Sequence, residues 1–529
     1  MKKKPLTLAL LASTILLTAC TDDGDNGQNG LNSLIQQKSL VLGNDDCWSG
    51  GTRIESGLDK NQNGELDTNE IQQSSTQCGP NLFAQGVALP YQNLTSFKVN
   101  GTTIASPFTL RQGGFGSDVA AHPTNNKQFY AITDRGPNAD YNDGVNGAGK
   151  IFPMPDYVPK IGLFEVQDDG SIKLIKTILL KDRDGSNISG LPNTAALGGT
   201  GETPYDINGN VIAKDPSKPY DPLTNPIKLD DYGLDSEGLA ALNDGTFWVS
   251  DEYGPHIVHY DANGKEIGRI NPFVNDVRNT FTLPQEFSYR RANRGMEGLT
   301  ITPDQKTLVG IMQSTMDLPT KAVNKSTLTR IVTINLETGK VAQYLYRQEI
   351  DANSNSAIIA INDHEFLVLE RDGKFLKDDP NIMKHVYRID LNDATNLEDI
   401  ATQGDLVQDP KLGLTIAGKT LEQYFINNDK KWEALQALNI QPVSKTLVLD
   451  MGKRVSYAHD KMEGLWLINR QTLGIVNDDD MGLWTTNGLE QKYLDNVGMR
   501  VDTPTLYIAD KLCTRQISQN PYPIRLLPS

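Results

Sequence analysis

An all-β fold is what the sequence predicts: a β-propeller of five to six blades, preceded by a small N-terminal disulfide-stapled calcium-binding module. Three observations carry this expectation. The stretch Leu234 to Ile270 holds two runs of period-two alternation, one of them Thr246 to Ser250, bounded by Asn-Asp-Gly and Ala-Asn-Gly turns, as short antiparallel strands are. Its opening phrase, Glu237-Gly238-Leu239, recurs as Glu297-Gly298-Leu299 and Glu463-Gly464-Leu465, each followed by a turn and a strand ending in polar or acidic residues. Looser copies without Glu-Gly-Leu begin at Ser117 and Ser356. A recurring strand-turn-strand unit that cannot bury its faces alone is the sequence form of a propeller blade, and equivalent copies bring their acidic ends to one rim.

Met1 to Cys20 reads as an export signal, with Lys2, Lys3 and Lys4 ahead of an apolar run from Leu6 to Leu17. The tetrapeptide Leu17-Thr18-Ala19-Cys20 resembles the lipobox of bacterial lipoproteins. That resemblance implies lipidation of Cys20 and, with Thr21 after it, anchoring in the outer membrane of the cell envelope. An ordinary cleaved signal or an uncleaved anchor is the alternative. Residues 21–44, which open on the polar tract Thr21 to Gly30, are expected to be a flexible tether.

Residues 45–80 form the expected calcium module. Cys47 and Cys78 flank it in an oxidising compartment and are the expected disulfide, which would stabilise the unit by roughly 3 kcal/mol, although the sequence leaves other pairings with Cys513 open. Between them, Asp59 to Glu70 matches an EF-hand loop: oxygen side chains at Asp59, Asn61, Asn63 and Asp67, a carbonyl from Glu65, Gly64 at the sharp turn and Glu70 as bidentate closer. A polar turn with incidental acidic residues is the plainer reading. Flanking helices look short or absent, so the site is expected to be structural.

Residues 85–529 carry the repeats. Phe108 to Pro137 is expected to be the first blade, followed by a Gly-, Asn- and Pro-rich excursion from Asn138 to Pro226 that either covers the propeller mouth or separates blade strands. Further blades are expected at about 234–270, 295–347, 355–392 and 445–480, with a helical insert in Gln403 to Leu438 and a closing strand at Thr505 to Asp510. A net charge of -16 argues against nucleic acid or an anionic membrane surface as the main partner and suits cation binding. The chain has no Gly-x-Ser-x-Gly elbow, no His-Glu-x-x-His and no paired CxxC, which argues against an α/β-hydrolase serine esterase and against zinc.

The phrases DSEGLA...FWVSDEYGP, RGMEGL and HDKMEGL are similar to the phytase-like domain family, described by an esterase-like activity of phytase, over roughly Phe108 to Asp510. The resemblance implies a propeller and a hydrolase of phosphate or other esters; the calcium module is outside its pattern. Beside the resemblance, an acidic rim of Glu237, Asp251, Glu252, Glu297, Glu370, Glu463 and Asp478 to Asp480 would repel a phosphomonoester unless its carboxylates held calcium. Glu237, Asp251, Glu252, Glu297 and Glu463 are then the metal-binding catalytic carboxylates. Arg135, Arg294 and Arg371 neutralise transition-state charge, and His256 or His459 is the general acid. Each role has a structural rival: Glu-Gly-Leu as a turn between blades, the histidines as packing residues, and the arginines, Arg278, Arg290 and Arg291 included, as partners of nearby carboxylates. Two classes stand open, a calcium-dependent hydrolase of small-molecule phosphoesters or esters and a non-catalytic, calcium-stabilised propeller that binds a ligand or partner protein at the cell envelope.

Overall fold

The computed structural model describes residues 30–99, 102–484 and 489–512, so the export signal, Cys20 and Cys513 lie outside the described residues. Two compact units are present, one from residues up to Leu40 and Thr52–Gln77, the other from Val41–Gly51 and Cys78 onward. A three-stranded sheet is formed by Ser33–Asn44, Cys47–Leu58 and Ile71–Cys78, in that order. From Ser33 onward the expected tether is therefore a strand. Leu34, Ile35, Leu40, Val41 and Leu42 provide the apolar, partly β-branched content that a solvated linker lacks. The disulfide is present, with the Cα atoms of Cys47 and Cys78 5.4 Å apart.

The larger unit is built on five sheets of at least four strands each. Their first strands are Asp118–Ala121, Ser236–Ala241, Met296–Ile301, Ser354–Ala360 and Gly464–Asn469. Each of these packs against the next, and the fifth returns to the first, so the first strands form a cycle. Packing follows the same order. Five buried apolar clusters each draw on two neighbouring sheets, including one shared by the fifth and first. Thr307–Met312 shows how the sequence achieves this: Leu308 and Met312 enter the cluster shared with the second sheet, whereas Val309 and Ile311 enter the one shared with the fourth. A strand buried on both faces reads as a continuous apolar run. Fully burying each such side chain contributes about 1.5–3 kcal/mol.

Several boundaries differ from expectation. Thr102–Gln112 pairs with Gln92–Val99 in a separate hairpin, so the first sheet starts ten residues after Phe108, at Asp118. Lys160–Val166 and Ile172–Leu179, within the Gly- and Pro-rich excursion, are the outer strands of that sheet. Ser444–Asp450 closes the fourth sheet against Lys384–Asp390 instead of opening the fifth, because the insert before it separates two strands of one sheet. In that insert Leu421–Ile426 and Trp432–Gln436 are helical, the first held by a Thr420/Gln423 capping box. Thr505–Ala509 pairs with Thr472–Val476 on one side and Val87–Ala88 on the other, so an early segment completes the last sheet. Among the described residues no helix is long and apolar enough to cross a membrane.

The glycines of the first two Glu-Gly-Leu phrases lie tight against the backbone of the next first strand. A Cβ on Gly298 would meet Ile358 N at 2.7 Å and the Ala357 carbonyl carbon at 2.8 Å; one on Gly238 would meet Leu299 N at 2.5 Å. These obstacles are backbone and cannot rotate away. Gly298→Ala is therefore expected to destabilise the larger unit by at least the ~1–3 kcal/mol of an overpacked core, read as a lowered denaturation midpoint; an unchanged midpoint would refute the close approach.

Candidate functional site

The sequence phrases that repeat along the chain converge on one cavity of about 300 Å³. Glu237, Glu297 and Glu463 reach it from the starts of the first strands of the second, third and fifth sheets. In the second and third sheets the ladder shifts register between Ser236 and Leu239 and between Met296 and Gly298, so a bulge turns the glutamate out of the pleat. The fourth sheet bulges at the same point, between Asn355 and Ala357, and places Ser356 there. Arg135, Glu252 and Gln313, just beyond the second strands of the first three sheets, and Arg371, the last residue of the second strand of the fourth, add to the wall. Among the described residues the lining consists of seven carboxylates, five cations and four amide or hydroxyl side chains, with no aliphatic or aromatic residue.

Cross-links tie these groups together. Arg371 pairs with Glu463, lies 3.5 Å from Glu297 and donates to Ser356 Oγ at 3.1 Å. Ser356 Oγ donates to Glu297 Oε1 at 2.8 Å. Gln313 bonds both Glu297 and Glu252, the latter at 2.6 Å. Arg135 Nη1 sits 3.2 Å from Asp235 Oδ2 and 3.1 Å from Asn293 Oδ1. Arg294 donates to Ser354 Oγ at 3.3 Å. Two groups of three carboxylates have oxygens within 4.8 Å of one another: Asp235, Glu237 and Glu252, and Asp134, Asp478 and Asp480.

Glu237, Glu252, Glu297, Glu463, Arg135, Arg294 and Arg371 thus meet at the cavity, and Asp251, His256 and His459 do not. Asp251 is turned back on its own strand end, where Oδ1 accepts from the His256 N–H at 2.7 Å. The His256 ring is held between Leu197 O at 3.1 Å and Asn271 Nδ2 at 3.1 Å. His459 is held between Asp502 at 2.7 Å and Tyr507 at 2.9 Å. Glu370 is consumed by Tyr346, Asn353 and Lys445, and Arg278 by Asp276. Asp235, Lys150, Gln313 and Lys461 were not singled out from the sequence. Asp235 and Lys461 stand two residues before Glu237 and Glu463, on the same side of an extended chain, which was the available signal. Lys150 arrives from the excursion with no signal at all.

In the smaller unit, the loop from Asp59 to Glu70 closes on its own amides. Asp59 accepts from Asn63 N at 3.1 Å and Gly64 N at 2.9 Å. Asn61 and Asn63 donate to Asp67 Oδ2 at 2.7 and 3.0 Å. Glu70 accepts from Lys60 N at 2.7 Å and Asp67 N at 3.2 Å, and Glu65 N donates to Asn63 Oδ1 at 2.8 Å. Gly64 takes φ +81°, as the sharp turn requires.

A family model described as esterase-like activity of phytase matches residues 111–481, the span that supplies this cavity. The chain belongs to the phytase-like family. Residues 32–78, outside the phytase-like span, match a domain of unknown function, DUF7151. An uncharacterized secreted protein of Arthroderma benhamiae is 28% identical over 293 residues, 46% of this chain and 51% of the relative, so the chain spans about half the length of that relative. Among solved structures, a Lactobacillus plantarum protein is 11% identical with a TM-score of 0.26, covering 90% of this chain and 98% of that one. Virginiamycin B lyase from Staphylococcus aureus is 9% identical with a TM-score of 0.23, covering 84% and 97%.

Electrostatics in the phytase-like cavity are dominated by burial. Burial, then repulsion from Asp235 and Glu252, pushes Glu237 well above the usual carboxylate range. Burial with Glu297 raises Glu252, and burial with Asp478 and Asp235 raises Asp134. Glu463 is pushed up to about 8 by burial, against the pull of Lys461 and Arg371. A folded state whose carboxylates have raised pKa values binds more protons than the unfolded chain, so stability falls as pH rises from the unfolded carboxylate range toward 8. Chelated protein is therefore expected to melt at a lower temperature at pH 8 than at pH 5, with a divalent cation narrowing the gap; a flat or rising melting temperature would contradict this.

Proposed function

We propose that the phytase-like domain is a divalent-cation-dependent hydrolase of phosphate esters of polar, hydroxyl-rich molecules, with calcium the expected ion. The observation that carries this reading is Glu237. It is more than nine-tenths buried and faces the cavity in a group of three carboxylates, without a hydrogen-bond or ion-pair partner among the described residues. Leaving such a charge buried is costly, and a cation held by Asp235, Glu237 and Glu252 would satisfy it. An all-oxygen donor set suits a hard ion. When bound, that ion supplies positive charge and Lewis acidity toward phosphoryl oxygens.

The chain's own groups do the rest. Arg294 and Arg371 offer guanidinium forks for the remaining phosphoryl oxygens, and Arg135 holds Asp235 in place. Gln313 orients Glu252 and Glu297. With both histidines held elsewhere, the proton for the leaving oxygen comes from a carboxylic acid of the wall that no guanidinium pairs. The absence of apolar or aromatic lining among the described residues favours a phosphorylated polyol over an acyl or aryl ester. On the same reading the five sheets are the blades of one closed ring. The chain acts outside the cytoplasm, where Cys47–Cys78 is stable, with Cys20 as lipid anchor. The loop from Asp59 to Glu70 is a separate, structural calcium site.

Phosphomonoester turnover is expected to be lost on exhaustive chelation and restored by calcium, and Glu237→Gln should lower kcat/KM by about 100-fold or more with an unchanged fold. Full activity in chelator, or an active Glu237→Gln enzyme, would overturn the reading. Calcium should also protect residues 52–77 from proteolysis, and Glu70→Gln should abolish that protection without altering turnover; protection that survives the substitution would remove the loop as a calcium site.

A further inference from the structure

Two groups of three buried carboxylates border one cavity, yet they are neutralised differently. In the group of Asp134, Asp478 and Asp480, Lys461 Nζ lies 2.6 Å from Asp478 Oδ2 and 2.8 Å from Asp480 Oδ1, and 4.0 Å from Glu463 Oε1. One ammonium therefore bridges two of the three carboxylates and faces a fourth. Lys492, whose side chain has no exposed surface, takes the other oxygen of Asp480 at 2.7 Å. Asp134 Oδ1 accepts from the Gly136 N–H at 2.9 Å. In the group of Asp235, Glu237 and Glu252 no lysine is present. Arg135 touches Asp235, Gln313 donates to Glu252, and Glu237 is left unmatched among the described residues.

We propose that the Lys461 ammonium stands in the place of a second metal ion, so that the cavity takes one divalent cation beside a built-in monovalent one. The identity of the first site rests on the functional reading above; the role of Lys461 does not. A cation carried on the chain cannot be chelated or exchanged, and it delivers one charge where a metal delivers two. Lys461 also lines the cavity, so its charge adds to those of Arg294 and Arg371 beside the space where an anionic group would sit.

Calcium counting by equilibrium dialysis on the mature chain tests this, with Glu70→Gln in every sample to silence the Asp59–Glu70 loop. Lys461→Met and Lys461→Gln are each expected to bind one calcium ion more than their parent, because removing the ammonium exposes three carboxylates with a single remaining lysine. Adding Asp134→Asn should cancel that gain, and Lys461→Arg should show none. A parent that already holds two ions in the cavity, or folded neutral variants that gain none, would overturn the proposal; the parent count decides it should neither neutral variant fold. A parent that binds no calcium, or whose count is unchanged by Asp235→Asn, would instead remove the functional reading, with Lys461 still judged by the gain.

Discussion

Mutual repulsion among carboxylates that are both buried and close is the constraint on which the rest of this structure depends. Seven acidic side chains face one cavity, and Asp235, Glu237 and Glu252 among them have oxygens within 4.8 Å of one another, so in a medium poorer in water than the surface their charges cannot all stand unaided. The protein answers in three ways. Arg135 and Arg371 pair with some of them, Lys461 and Lys492 with others, and burial with mutual repulsion raises the pKa values of Glu237, Glu252 and Asp134, which favours their neutral forms. A site organised around that much unrelieved charge is suited to a cation, and the cationic side chains threaded through it are suited to an anion next to that cation.

The scaffold makes such a concentration affordable to fold. Large apolar clusters between every pair of neighbouring sheets supply stabilisation away from the cavity, and the glycines of the first two Glu-Gly-Leu phrases let their strands pack backbone against backbone with the next first strand. One residue earlier, a bulge frees the glutamate from the pleat in two of those strands. Close packing and acid presentation are thus two halves of one local device. Where the phrase is lost, its acid is lost too: the fourth sheet presents Ser356, which shares Glu297 with Arg371 instead of adding a charge. Ser117 holds the corresponding place in the first sheet, buried and with its hydroxyl unmatched among the described residues.

Much of this was legible in the sequence because it is written locally. Period-two alternation, turn dipeptides and a repeated three-residue phrase suffice to predict an all-β repeat architecture, and the recurrence of Glu in that phrase suffices to predict that three glutamates share a rim. The Cys47–Cys78 pair was legible for the same reason, since it flanks one short segment of the chain. Where inserts intervene local signals mislead: Ser444–Asp450 belongs to the fourth sheet and not the fifth, and Phe108 to Gln112 belongs to a hairpin and not to the first blade, because strand partnership is a property of pairs and not of segments.

From residue types and spacing alone, then, came the repeat, the acid at three of the five strand starts and the net negative charge. Only the tertiary structure decided which charged groups meet. Asp251 and Glu252 are adjacent in the chain, yet strand alternation sends one back to the His256 amide and the other to the cavity. His256 and His459 carry chemistry by type but are enclosed by Asn271 and by Asp502 with Tyr507. Lys461 and Asp480 are 19 residues apart, and nothing in either segment says that an ammonium will settle between two aspartates. Side-chain neutralisation depends on distances between elements, and those distances exist only once the sheets have packed.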